Sequence, residues 1–144
     1  MTQKNTSKTN IPEELQLLDE WQTRLGLKDW LILLETNVDP NKIPIRDADG
    51  CVSYEEIVKA AKIQIINPEA IVSDEDTIRL RPFDFEETLV HELLHLKFCL
   101  LERGQKWDKK LQLRLMHQIL DDISRALVDA KRSSKSLNEK INKD

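Results

Sequence analysis

The chain has 144 residues, with 22 Lys and Arg against 26 Asp and Glu and a formal net charge of −4. That length suits one domain with a single core, and the well-mixed, slightly acidic charge leaves no basic footprint for nucleic acid. No stretch approaches the roughly 20 apolar residues of a membrane span, and the polar start Met1 to Asn10 has no signal-peptide core, so a cytoplasmic protein is expected.

The segment 1–10, rich in Thr, Asn, Lys and Gln, is expected to be a disordered tail, with one domain over 11–131 and a second tail over 132–144. Asn10-Ile11-Pro12 opens a helix with Leu17, Leu18, Trp21 and Leu25 on one side, ending at Gly26. Trp30 to Val38 reads as a strand by its branched and aromatic residues. Beyond the Pro-, Asp- and Gly-rich stretch Asp39 to Gly50, the runs Cys51 to Tyr54 and Ala61 to Ile66 read as a hairpin closed by Asn67-Pro68. Cys51 and Cys99 belong to no C-x-x-C pair. Cys99 reads as a small buried hydrophobe, and a cytosolic setting argues against a disulfide between the two.

Two long helices follow. Pro82-Phe83 leads into Asp84, an N-cap, with Glu87 where a capping box places its glutamate. No Gly or Pro interrupts Phe85 to Glu102, and Leu89, Leu93, Leu96 and Leu100 recur at helical spacing. Gly104 marks a stop and allows an antiparallel return. Asp108 to Lys131 reads as the second helix, with Met116, Ile119, Leu120, Ile123, Leu127 and Ala130 as its apolar stripe. Lys131 to Lys135 reads as a solvated helix end. A helix and small sheet first, then paired helices, is an α+β plan.

Only three histidines are present, and two stand in His91-Glu92-Leu93-Leu94-His95. Positions i and i+4 share one helix face, so both imidazoles can aim at one cation. Glu92 follows the first of them and can reach a water on that cation as general base. The bland alternative, two core histidines, requires burying polar rings without a partner. A hydrolytic zinc site takes a third protein ligand. A continuation of the motif with Gly at 98 and His at 101 is absent, since those positions hold Phe98 and Leu101. Glu102, about 10 Å further along one helix, could reach back only if the helix broke early. A lone helical histidine is usually a core or surface residue, but His117 borders the second helix's stripe and is the better candidate. Asp121, one turn on, can accept a hydrogen bond from a ligand imidazole's other nitrogen.

These residues resemble the zincin clan of metallopeptidases, with the gluzincin layout of an H-E-x-x-H helix followed by a helix that gives a ligand and an acidic residue one turn later. His117 stands where that layout has glutamate, and Asp121 where it has aspartate. The uncharged residues of Thr88-Leu89-Val90 and Leu93-Leu94 fit the extended pattern, and Lys97 departs from it. Small HELLH proteins of phages and bacterial mobile elements are also similar. The resemblance implies a zinc-dependent peptidase acting on a peptide or protein substrate. Zn2+ would be held by His91, His95 and His117, with Glu92 as general base and Asp121 orienting a ligand ring. It also implies an edge strand that holds the substrate backbone, for which Ala61 to Ile66 is the expected segment. Tyr54 and Arg114 are candidates to steady the developing oxyanion. Two readings compete: a zinc hydrolase acting on something other than peptides, since the motif fixes water activation and not substrate, and a regulatory or binding module of mobile-element origin whose zinc is structural or weakly catalytic. Retention of Glu92 argues against the module, because a structural site has no use for a base there. Substrate identity and oligomeric state are left open.

Overall fold

The computed structural model describes residues 11–44, 48–70, 82–102 and 109–141. The expected tail 1–10 and the turn at Gly104 fall outside them. Helix α1 (Glu13–Arg24) starts after Pro12 and ends where Gly26 takes a φ of 63°, a left-handed turn that glycine adopts without a side-chain clash. Strand β1 (Leu31–Val38) follows, and then β2 (Gly50–Glu55) and β3 (Ala60–Ile66) form the expected hairpin.

The sheet order is β1-β3-β2, so β3 is the central strand: β1 pairs with it in parallel and β2 antiparallel. This corrects the expectation that Ala61 to Ile66 is an edge. Alternating burial along a strand reports which face meets the core, not how many neighbours it has. In β3, Ala61, Ile63 and Ile65 point into the core, and the last two are wholly buried.

The edge beside the helices is β2. Ile66 N–H donates to the Asp49 carbonyl at 3.0 Å, and Gly50 stands opposite Ile65. Antiparallel alternation then turns the main-chain N–H and C=O of Gly50 and Val52 away from β3. Among the described residues no strand pairs with that side.

Helix α2 (Phe85–Glu102) lies across β2 and β3 and packs against α1 and α3 (Lys109–Ile141). Asp84 caps it as expected, its Oδ1 accepting from Glu87 N–H at 3.1 Å. Leu89, Val90 and Leu93 are fully buried between the sheet and α3, whose Leu120 and Val128 meet them.

Two expectations about α3 are corrected. Of its expected stripe, Leu120 is buried and Met116, Ile123 and Leu127 pack against the core, but Ile119 and Ala130 face solvent, and Ser124, Val128 and Lys131 are buried in their stead. The helix also runs on to Ile141, through most of the expected tail. The reason is electrostatic. Lys131 is not a solvated end: it is 5% exposed, and its ammonium pairs with Glu86 and, at 2.9 Å, with Glu20. Arg132 adds bonds to Asp84 at 2.8 Å and Glu86 at 3.1 Å, and Trp21 Nε1–H donates to Glu86 at 2.8 Å. Charged pairs that tie α3 to α1 and α2 carry the helix past the point where its apolar pattern fades. Among the described residues no helix is long and apolar enough to cross a membrane.

Candidate metal centre

His91 and His95 stand one turn apart on α2, and α3 returns antiparallel to bring His117 against them. His91 Nε2 lies 3.2 Å from His95 Nε2 and 3.2 Å from His117 Nδ1. The His91 and His117 rings are stacked with an interplanar angle of 19°, and His95 meets both edge-on. One nitrogen from each ring thus faces a common point, all within 4.8 Å of one another.

Two observations test whether this set fits a cation. Imidazole nitrogens about 2.0–2.1 Å from a tetrahedral ion are about 3.3–3.4 Å apart, close to the spacing found. The ring tautomer agrees as well. His91 Nδ1 lies 2.7 Å from Asp121 Oδ1, and an ionised carboxylate only accepts, so Nδ1 carries the proton. The Nε2 of the neutral ring then presents a lone pair to the cluster. Asp121, expected to steady a ligand ring, bonds His91 across the interface, from α3 to α2. The residues fit a three-nitrogen cation site.

Glu102 is the last residue of an unbroken α2, so the early helix break that would bring it back does not occur. Cys51 and Cys99 are both buried free thiols, and Cys99 Sγ–H donates to the Leu96 carbonyl at 3.1 Å.

Glu92 is 5% exposed yet borders the same cleft, a cavity of about 520 Å³. Its other walls include Gly50, Val52 and Tyr54 of β2, Thr88 of α2, and Leu113, Ser124 and Arg125 of α3. Burial pushes the Glu92 carboxyl up to about 7, the charge of His91 pulls it down, and that of Asp121 adds to the rise. A cation among the imidazoles acts in the downward direction. For His91, burial works against the charged ring, but the Asp121 hydrogen bond and the charges of Glu92 and Asp121 outweigh it, and the net shift is up. Asp121 is held below the usual carboxylate range, first by the His91 hydrogen bond.

Of the two oxyanion candidates, Tyr54 lines the cleft, while Arg114 is exposed and outside it. Two cleft residues were missed in the sequence. Arg125 bonds Asp122 at 3.3 Å, and its buried Nε meets no acceptor among the described residues. Its spacing, one turn beyond Asp121, was a signal that the acidic partner overshadowed. Gly50 gave no signal, because its role depends on what α2 places against it.

Comparison with protein-family models, with curated proteins and with solved structures finds no match.

Proposed function

We propose that this protein is a zinc-dependent peptidase. The observation that carries the proposal is the convergence of His91, His95 and His117 on one point beside Glu92, at the wall of a cleft. Zinc bound there would act as a Lewis acid, lowering the pKa of a coordinated water to about 7 and polarising a substrate carbonyl.

The chain's own residues do the rest. His91, His95 and His117 would hold the ion. Asp121 keeps the His91 proton on Nδ1, so that Nε2 stays available, and fixes the ring's orientation. The Glu92 carboxylate takes the proton of the attacking water and passes it to the departing amine. Gly50 and Val52 offer main-chain groups along the outer edge of β2, on which an extended peptide can add as a further strand. The substrate rail assigned above to Ala61–Ile66 is thus moved to β2. The competing reading, a module with a structural zinc, has no use for a buried carboxylate against an open cleft.

The test is metal analysis of the wild type beside Glu92→Gln, with both assayed on a denatured protein substrate. The proposal expects equal zinc, with cleavage in the mutant about 10²–10⁴-fold slower. A wild type that holds zinc and cleaves no faster than Glu92→Gln would favour the structural-zinc module. One that holds no metal after purification without chelators sinks both.

A further inference from the structure

Gly50 is buried in β2, and its backbone is not in the left-handed region that demands glycine. A glycine inside a strand weakens it, so such a residue marks a bulge or a close approach. Here it is a close approach. A Cβ on Gly50 would lie 2.9 Å from Thr88 Cγ2, 3.1 Å from Glu92 Oε1 and 3.2 Å from the Gln64 carbonyl oxygen.

Neither wall can readily retreat. Thr88 is fastened through Oγ1–H to the Asp84 carbonyl at 2.9 Å. Behind Glu92, α2 is backed by the fully buried Leu89 and Leu93, and its first turn is tied to α1 and α3 through Glu86. On the other side, β2 is registered against β3, the Gly50 position opposite Ile65. The element that can give is the far end of the Glu92 side chain.

The geometry points to Gly50 as the positioning residue for Glu92. The missing side chain leaves the volume in which the carboxylate lies, between strand and helix and beside the histidine cluster. It also lets the edge of β2 come within reach of that carboxylate, so base and substrate rail share one wall. The inference rests on the peptidase reading for its catalytic meaning, whereas its steric content stands without it.

The experiment is Gly50→Ala in the full chain, with crystal structures, zinc content and steady-state kinetics on a peptide cleaved by the wild type. The expected result is a displaced Glu92 carboxylate, unmoved imidazoles and unchanged zinc stoichiometry. Turnover should fall about 10- to 100-fold, the scale of a misplacement near 1 Å. Adding Thr88→Ser removes the nearest methyl, keeps the hydroxyl bond to Asp84, and should restore part of the turnover. If Gly50→Ala does not fold, the same coordinates are read from the double variant.

A Glu92 carboxylate that stays in place beside the new methyl overturns the inference, whatever the activity. So does loss of zinc together with turnover, which would make Gly50 a residue of the metal site or fold. An inactive wild type with a displaced carboxylate in the variant sinks the peptidase reading alone and supports the steric one.

Discussion

Helices α2 and α3 meet through polar groups at two places, and the two are built on opposite plans. Near the start of α2, Asp84 and Glu86 meet Lys131 and Arg132, with Glu20 and Trp21 of α1 closing the group. Acids face bases there, and each charge finds its complement inside the chain. One to three turns further along α2, His91 and His95 meet His117, and the facing atoms are all nitrogens. Like faces like, with one carboxylate behind His91 and another, Glu92, at the wall. Ion pairs complete the first junction; a shared cation from outside would complete the second. The lesson is that the same two helices are fastened where their contacts are complementary and left receptive where they are not.

Four measurements would break or sharpen that contrast, taken here from the largest expected effect to the smallest. His117→Ala removes one of three converging nitrogens, and zinc affinity should fall by more than the about 10–100-fold typical of an outer partner. Competition with a chromophoric chelator reads this, and unchanged affinity breaks the metal side of the contrast. Glu86→Ala leaves Lys131 buried with Glu20 as its remaining carboxylate. Breaking a buried pair costs about 3–5 kcal/mol, and with Glu20 still in place about 3 kcal/mol is expected, roughly a 10 °C fall in Tm. Zinc affinity should not change, and a protein of wild-type Tm would show the first junction to be dispensable.

Asp121→Asn keeps the size of the group that orients His91 and removes its charge. Zinc affinity should fall about 10- to 100-fold with little change in Tm; a large loss of stability would place Asp121 in the structural junction instead.

The smallest effect is in acid. The hydrogen bonds from Arg132 hold Asp84 below its ordinary 3.8. Burial alone would raise Glu86, but Lys131, Trp21 and Arg132 outweigh it and leave it below its ordinary 4.5. Depressed carboxyls contribute stability that is complete above those ordinary values and disappears as pH falls through the folded ones. Thermal melts should therefore lose stability steadily below about pH 4.5, and Arg132→Gln should flatten that slope. An unchanged slope would mean that acid unfolding starts elsewhere.

The junctions also separate what could be read in the sequence from what could not. The histidine cluster was legible because it obeys two local rules, the i, i+4 spacing of His91 and His95 and the one-turn spacing of His117 and Asp121. The hairpin was legible for the same reason, since its partners are neighbours in the chain. What was hidden depends on pairing at long range. Nothing in Leu31–Val38 announces a parallel partner, so β3 was placed at an edge and the edge position of β2, the strand beside Glu92, was overlooked. Lys131 looked solvated because its partners, Glu20 and Glu86, are 111 and 45 residues away. Asp121 does bond an imidazole of the cluster, but that ring, His91, is on the other helix. Gly50 was silent altogether: an absent side chain has meaning only beside the atoms that fill its place.

The parallel pairing of β1 with β3 has a consequence for how the molecule is made. A ribosome releases α1 and all three strands before α2 emerges, and Ile63 and Ile65 then lack α2, the helix that packs on β3. Their cover is Leu89, Val90 and Leu93, on the helix that carries His91 and His95. The sheet cannot close its core during synthesis until the helix with His91 and His95 arrives, and the third histidine comes later still. The three histidines, on this order of events, come together only once α3 has docked, so the cluster exists only in the completed fold.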